Sequence, residues 1–237
     1  MRRQLLVDDS LQSCPYLPGR VARMPLYRQF ERLGLVEADE AFSLGERRVG
    51  RSLYTTACPT CQECRPLRVL TREFELSKSQ RRVLSRWDER GRVEIGPPVC
   101  TDEKLALYNR HKFGRSLAAS DDEPMEVLGY TSWLVESCFH TMEMRYFWMD
   151  RLIGVGIVDL GATSASSVYF YFDPDLEISR LSPGVFSTLQ EIHFCRQTGR
   201  EHLYLGLYVR DCSHLSYKAG YCPHERWADG DWRRVDR

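Results

Sequence analysis

The sequence predicts an α+β fold in two parts: a small cysteine-bearing N-terminal α/β domain over residues 1–98 and a larger domain over 99–237. Three observations predict it. Helix and strand patterns come in blocks rather than in strict alternation. Three strand-like runs follow one another between residues 143 and 172, and an amphipathic helix and a further strand succeed them. Pro97 and Pro98 interrupt the chain between two stretches of different texture. At 237 residues, with 43% hydrophobic and 11% aromatic side chains, the chain is long enough to bury a core and too apolar for general disorder.

In the first part, a loop with Pro15, Pro18 and Gly19 leads to residues 24–33, which predict a short helix ended by Gly34. Residues 53–56 and 67–71 predict strands on either side of a cysteine cluster. Ser77 is suited to cap a helix running through Trp87, with Val83, Leu84 and Trp87 turned inward. Residues 93–95 predict a strand before the two prolines.

In the second part, Asp102 opens a helix through His111, and residues 127–138 hold part of another. Residues 143–148, 152–160 and 168–172 predict successive strands, with Asp150 and Arg151 in the first turn. Pro183 and Gly184 precede a helix over 185–197 whose Phe186, Leu189, Ile192 and Phe194 fall near one face, and Gly199 ends it. Residues 202–208 predict a final strand. Helices, antiparallel strands, a helix and a strand, in that order, suit an acetyltransferase-like (GNAT-type) domain.

Composition narrows the function. No apolar run approaches the roughly 20 residues that span a bilayer. Leu5, Leu6 and Val7 run straight into Asp8 and Asp9, too short for the apolar stretch of a secretory signal. A cytoplasmic protein without a membrane partner is expected. Its nine cysteines are an odd number, and the cytosol disfavours structural disulfides. Net charge is zero, yet residues 65–92 hold nine basic side chains against four acidic ones, a local surplus of the kind a phosphate-binding face requires.

Three motifs carry chemistry. Cys58, Cys61 and Cys64 at i, i+3 and i+6 can direct thiolates at one ion, with Cys14 as a fourth ligand; the alternative is reduced thiols filling a tight turn. The helix start Ser77-Lys-Ser-Gln-Arg-Arg brings Lys78, Arg81 and Arg82 to free N–H groups, as a phosphate site or as a solvated face. In Val168-Tyr-Phe-Tyr-Phe-Asp-Pro, alternation puts Tyr169 and Tyr171 on one face and Phe170 and Phe172 on the other, with Asp173 at the end. Asp173 suits an amine-orienting or proton-accepting role, or that of a turn residue after a core strand. Tyr204, Tyr208, Tyr217 and Lys218 would line the same region if their strand neighbours the aromatic one. The six histidines show no ligand spacing, and there is no GxGxxG, P-loop or GxSxG motif.

Taken together, these segments resemble the short bacterial branch of the arginyl/leucyl-tRNA–protein transferase family. The resemblance is carried by Cys14-Pro-Tyr-Leu-Pro-Gly-Arg, Cys58-Pro-Thr-Cys-Gln-Glu-Cys-Arg-Pro-Leu-Arg and Phe74-Glu-Leu-Ser-Lys-Ser-Gln-Arg-Arg. It continues in Tyr169-Phe-Tyr-Phe-Asp-Pro, Tyr204-Leu-Gly-Leu-Tyr, Cys212 and Tyr217-Lys218, in the family's order. It implies transfer of an amino acid, leucine in this branch and arginine in relatives, from aminoacyl-tRNA to acceptor proteins with an N-terminal Asp or Glu, marking them for degradation. It also implies that Cys14, Cys58, Cys61 and Cys64 are candidates to hold an iron–sulfur cluster. Two segments depart from the pattern: 178–184, with its proline, and 118–131.

The chemistry asks mainly for positioning. The donor is an activated ester, and an α-amine with pKa of about 7.7–8 is partly neutral at cytosolic pH. No cofactor is required for transfer; zinc or an iron–sulfur cluster on the cysteines is an addition. Asp173 or Tyr171 is expected to hold the amine, and Lys218 or a backbone N–H near Gly184 to meet the oxyanion. Arg68, Arg81 and Arg82 are candidates for the acceptor's carboxylate or for tRNA phosphate. Leucine as donor predicts an apolar pocket, and arginine a carboxylate within it. An acyl-CoA N-acetyltransferase and a non-catalytic metal- or RNA-binding module are the alternatives.

Overall fold

A computed structural model of the protein describes residues 2–88, 90–117 and 122–236. The chain begins with β1 (Gln4–Asp8), β2 (Leu11–Ser13), β3 (Val21–Arg23) and β4 (Leu26–Gln29). Helix α1 (Leu35–Ser43), β5 (Arg47–Val49) and β6 (Ser52–Tyr54) follow. An antiparallel sheet takes the order β1-β4-β6-β5, and β2 pairs with β3. The helix expected over 24–33 is therefore overturned. Leu26–Gln29 is hydrogen-bonded to strands on both sides, which a helix at that position would leave without partners. Gly34 starts a helix instead of ending one: it is the N-cap of α1, and its N–H donates to the Glu37 carboxylate at 2.7 Å.

The remaining elements are β7 (Arg65–Leu70), α2 (Lys78–Trp87), β8 (Gly91–Gly96), α3 (Asp102–Gly114), α4 (Val127–Tyr130), β9 (His140–Trp148), β10 (Arg151–Leu160) and β11 (Ser164–Phe172). After them come α5 (Leu176–Arg180), α6 (Pro183–Gln197), β12 (His202–Tyr208), α7 (Ser213–Ser216), β13 (His224–Ala228) and β14 (Asp231–Val235). Eight strands form one sheet in the order β14-β13-β7-β12-β11-β10-β9-β8. All neighbours are antiparallel except β11 and β12. The sheet takes β7 and β8 from before Pro98 and the other six strands from after it. The fold is mixed α/β.

Local chemistry explains the elements. Ser77 caps α2: its hydroxyl accepts from the Gln80 N–H at 3.2 Å, while the Gln80 side chain accepts from the Ser77 N–H at 2.8 Å. The β9–β10 turn is Met149-Asp150, one residue earlier than expected. Both residues have positive φ, at 48° and 63°, as a tight two-residue hairpin demands. Residues 127–138 hold only one turn of α4 followed by a wider five-residue turn over Thr131–Val135.

Alternation along β11, with a register shift in β10 between Leu152 and Gly154, splits the core between the two faces of the sheet. Tyr171, Val155 and Ile157 pack with Leu107, Tyr108, Tyr130 and Leu134 beneath α3. Phe172, Ile153 and Val158 pack with Phe186, Leu189 and Ile192 of α6. Trp87 stacks on Phe186 with ring centroids 4.0 Å apart and planes inclined by 5°, which fastens α2 to α6. Burying rings of this size contributes roughly 1.5–3 kcal/mol each. Among the described residues no helix is long and apolar enough to cross a membrane.

Candidate active site

The parallel strands β11 and β12 pair only where Ser164–Ser166 meets His202–Tyr204, and beyond that point they part. In β11 the register against β10 slips by one residue: Ile157 faces Tyr169, Val158 faces Ser167, and Val168 has no counterpart. Such a bulge bends the strand and re-aims its side chains. A cavity of about 650 Å³ opens there, between Ser167–Phe170, the start of α6, Leu205 and the segment carrying Leu215, Tyr217 and Lys218. Pro183 opens α6 at a position where its missing N–H goes unmissed, after Ser182 in the left-handed region at φ 57°. The proline that departs from the family pattern is thus a helix start at the rim of the cavity.

The charges lining this cavity are one-sided. Arg47 reaches in from β5, donating to Ser166 Oγ at 2.9 Å and to the Ser167 carbonyl at 2.7 Å. Gly206 leaves room for it: at φ 79°, a Cβ there would lie 2.9 Å from the Arg47 guanidinium carbon. Arg115, at the end of α3, stands 5.0 Å over the Phe172 ring and pairs with no carboxylate among the described residues. Lys218 is buried and donates from Nζ to the Leu207 carbonyl at 2.7 Å; burial first, then Arg47, pulls its pKa down to about 7. The one carboxyl among the lining residues is Glu191. Its Oε1 accepts from Ser187 Oγ at 3.3 Å and Ser167 Oγ at 3.4 Å, and burial pushes its pKa up to about 7.

A second groove, of about 320 Å³, runs between α2 and α6. Arg82, Arg86 and Gln80 line it, and it adjoins the first cavity at the shared residues Ser182, Val185 and Tyr217. A basic groove leading to a partly apolar chamber can guide a charged polymer's end toward a buried reaction centre.

The structure brings Lys218, Tyr169 and Tyr217 to the cavity, and Arg82 to the adjoining groove. Lys78 and Arg81 begin α2 beside it, both exposed, with Arg81 donating to the Leu76 carbonyl. Five other residues go elsewhere. Asp173, 2% exposed, is ion-paired with Arg110 and Arg151 at 3.2 and 3.6 Å and accepts from the Asp175 N–H, closing the end of β11. Tyr171 lies on the α3 face, its hydroxyl 2.5 Å from that of Tyr130. Arg68 donates to Glu225 and to the Tyr204 hydroxyl and stacks on Trp232. Tyr204 itself packs on Phe42, and Tyr208 lies under Arg226. Glu191, Ser167, Arg47 and Arg115 escape sequence reasoning. The available signal was Ser187-x-x-x-Glu191, two polar residues one turn apart on the side of α6 that its spacing turns inward.

Cys14, Cys61, Cys64 and Cys212 gather with Leu17, Val209 and Leu215, and Leu215 also lines the cavity. Burial, reinforced by Cys14, Cys58 and Cys61, pushes the Cys64 thiol up to about 12. Arg20 donates to Cys61 Sγ at 3.1 Å, and Cys14 Sγ accepts from the Leu17 N–H at 3.4 Å. The donor type suits zinc or an iron–sulfur cluster, but the spacing does not. Among the described residues no three His, Cys, Asp or Glu side chains are placed to hold one ion.

Comparison with known proteins matches both halves of the chain. A model described as arginine-tRNA-protein transferase, N terminus, fits residues 12–82, and one described as its C terminus fits residues 103–228. The aspartate/glutamate leucyltransferase of Acinetobacter baumannii is 32% identical over 94% of this chain and 82% of its own length. That of Campylobacter jejuni is 32% identical over 90% of this chain and 88% of its own. Among solved structures, the C-terminal domain of a putative lysylphosphatidylglycerol synthetase from Agrobacterium fabrum overlaps 68% of this chain and 50% of its own, at 15% identity and a TM-score of 0.49. With both family models matched in order and relatives 32% identical over most of their length, the chain belongs to the arginine-tRNA-protein transferase family and is an aminoacyl-tRNA–protein transferase.

Proposed function

We propose that this enzyme transfers leucine from leucyl-tRNA to proteins that begin with Asp or Glu, in the cavity where β11 and β12 part. The observation that carries this reading is the one-sided charge of the cavity. Val168, Phe170, Leu205 and Leu215 offer an apolar wall for a leucyl side chain. An arginyl donor calls for a carboxylate free to face its guanidinium, and the one carboxyl among the lining residues, Glu191, is buried with its Oε1 already accepting from Ser167 and Ser187. Arg47, Arg115 and Lys218 instead favour a negatively charged acceptor. The names of the relatives, aspartate/glutamate leucyltransferases, point the same way.

In this reading the acceptor stem approaches along Arg82 and Arg86, with Lys78 and Arg81 beside them, and the esterified terminal ribose enters past Ser182 and Tyr217. Arg115 forks onto the acceptor's side-chain carboxylate. The Gly184 N–H, at the first turn of α6, meets the oxyanion as the amine adds to the ester carbonyl, and Lys218 reinforces that field. Two parallel strands that separate around the reacting groups support the acetyltransferase-like reading of the second part of the chain. The cysteine corner supports the wall that carries Lys218, and no step passes through a metal. A cytoplasmic location and the marking of acceptors for degradation belong to the same reading.

The test offers labelled leucyl-tRNA and arginyl-tRNA in parallel to peptides beginning with Asp, Glu or Ala. Transfer of leucine to the Asp and Glu peptides alone is expected. Arginine transfer, or equal transfer to Ala, would overturn the assignment of donor or acceptor.

A further inference from the structure

We propose that Glu191 is the proton acceptor for the attacking α-amine, reached through the hydroxyl of Ser167; the inference rests on the cavity being the site of transfer. Glu191 is 1% exposed in the middle of α6. Its Oε1 accepts from Ser167 and Ser187, while its Oε2 has no hydrogen-bond partner among the described residues. Packing alone would favour an apolar residue here, because a buried carboxyl oxygen without a partner is destabilising. Structures keep such groups where chemistry needs them.

The surroundings suit a proton acceptor. Arg47 from β5 is the one charged side chain that acts on the carboxyl, favouring its ionised form. Ser167 from β11 donates to it, and the Tyr146 hydroxyl from β9 lies 3.0 Å from Ser187 Oγ. Cys195, one turn further along α6, and Tyr217 and Tyr221 after β12 are neutral at pH 7 and complete the group. Lys218 shares the cavity but directs its ammonium to Leu207. Burial outweighs Arg47 and places the carboxyl near neutrality, where a proton can be both taken up and released. Ser167 forms part of the cavity wall beside the bulge at Val168, so it is the group that meets the amine.

The step balances. The acceptor's ammonium gives one proton to Ser167 Oγ as the seryl proton passes to Glu191. The neutral amine then forms the C–N bond at the ester carbonyl. As the tetrahedral adduct collapses, the C–O bond to the terminal ribose breaks and the ribose oxygen takes the second amine proton. The net proton left on Glu191 returns to solvent by the same path.

The experiment uses the full chain, leucyl-tRNA and two acceptors: an Asp-initiated peptide and an analogue whose α-amine is replaced by an aminooxy group, unprotonated at neutral pH. With the amine, Glu191→Gln should lower kcat by about 10²–10³-fold and remove the rise in rate near pH 7. With the aminooxy acceptor, its deficit should shrink to less than about tenfold. Ser167→Ala should follow the same pattern, and Glu191→Asp should keep the pH dependence at reduced kcat. Equal deficits with both acceptors, or an unchanged pH profile in Glu191→Gln, would overturn the proposal. A wild-type enzyme inactive with both acceptors would instead overturn the transfer reading beneath it.

Discussion

Arg48 Nε lies 2.7 Å from Asp159 Oδ2, and the two side chains are only 1% and 2% exposed. The pair ties β5 of the small sheet to β10 of the large one. Arg48 Nη1 also donates to the Trp133 and Glu136 carbonyls, and Thr141 donates to Asp159 Oδ1 at 2.6 Å. The preceding residue of β5 is Arg47, whose guanidinium enters the cavity over Gly206. Thus a buried ion pair between the sheets sets the position of a charge in the site.

Removing one partner leaves the other charge buried and unpaired. Asp159→Ala should destabilise the protein by about 3–5 kcal/mol in urea unfolding. It should also lower transfer under conditions where the fold persists, because Arg47 loses its anchor. A loss below about 1 kcal/mol would mean that the pair does not join the two sheets energetically.

Arg115 is the cation proposed to read the acceptor's acidic side chain. Arg115→Ala should raise KM for Asp- and Glu-initiated peptides by about 10–100-fold, the worth of a charge-assisted hydrogen bond. The weak rate with an Ala-initiated peptide should barely change. Arg115→Lys should recover part of the loss, since a point charge cannot reproduce the fork. An unchanged ratio of kcat/KM between Asp and Ala peptides would assign recognition to another residue.

Arg82 and Arg86 line the groove that leads to the cavity. If they neutralise tRNA phosphates, each alanine substitution should weaken binding and reduce the slope of log affinity against log salt by about 1. A lower affinity with the slope unchanged would count against phosphate contact.

Glu191 predicts a pH dependence of stability. Its pKa rises from 4.5 to about 7 in the folded state. The native state then holds the proton more tightly, so stability is full below pH 4.5 and falls as pH rises to about 7. Glu191→Gln escapes this loss. It should be more stable than wild type at pH 8 by about 1–3 kcal/mol, and the advantage should vanish near pH 4.5. Lys218 runs in the opposite sense: its depressed pKa gives stability present above pH 10.5 and lost as pH falls through about 7. Comparing the variant with wild type at each pH cancels that contribution. A stability difference independent of pH would contradict the burial assigned to Glu191.

Much of the fold was legible where periodicity and capping agree. Ser77 and Gln80 announce α2, and the alternating aromatics of β11 divide between two cores as their spacing predicts. Residues 24–33 misled because their mix of apolar and polar residues fits both periods over so short a length, and only pairing with β1 and β6 decides between them. The segment 118–131 that departs from the family pattern lies partly outside the described residues; its described part holds the α4 turn at Val127–Tyr130. The site was half legible. Lys218, Tyr169 and Tyr217 line one cavity, while Asp173, a candidate to hold the amine in the sequence, is held by two arginines. Glu191 was hidden because a carboxylate beside Ile192 on an apolar helix reads as a surface residue until the strands part beneath it.

The most direct test of the central claim, that transfer occurs where β11 and β12 part, uses a stable amide-linked leucyl-adenosine. Backbone hydrogen exchange would be measured with and without it. Protection should concentrate in residues 167–172 and 184–191 and disappear in a Val168→Trp variant that fills the cavity. Protection at the cysteine corner instead, or undiminished competition with leucyl-tRNA in the filled variant, would place the chemistry elsewhere.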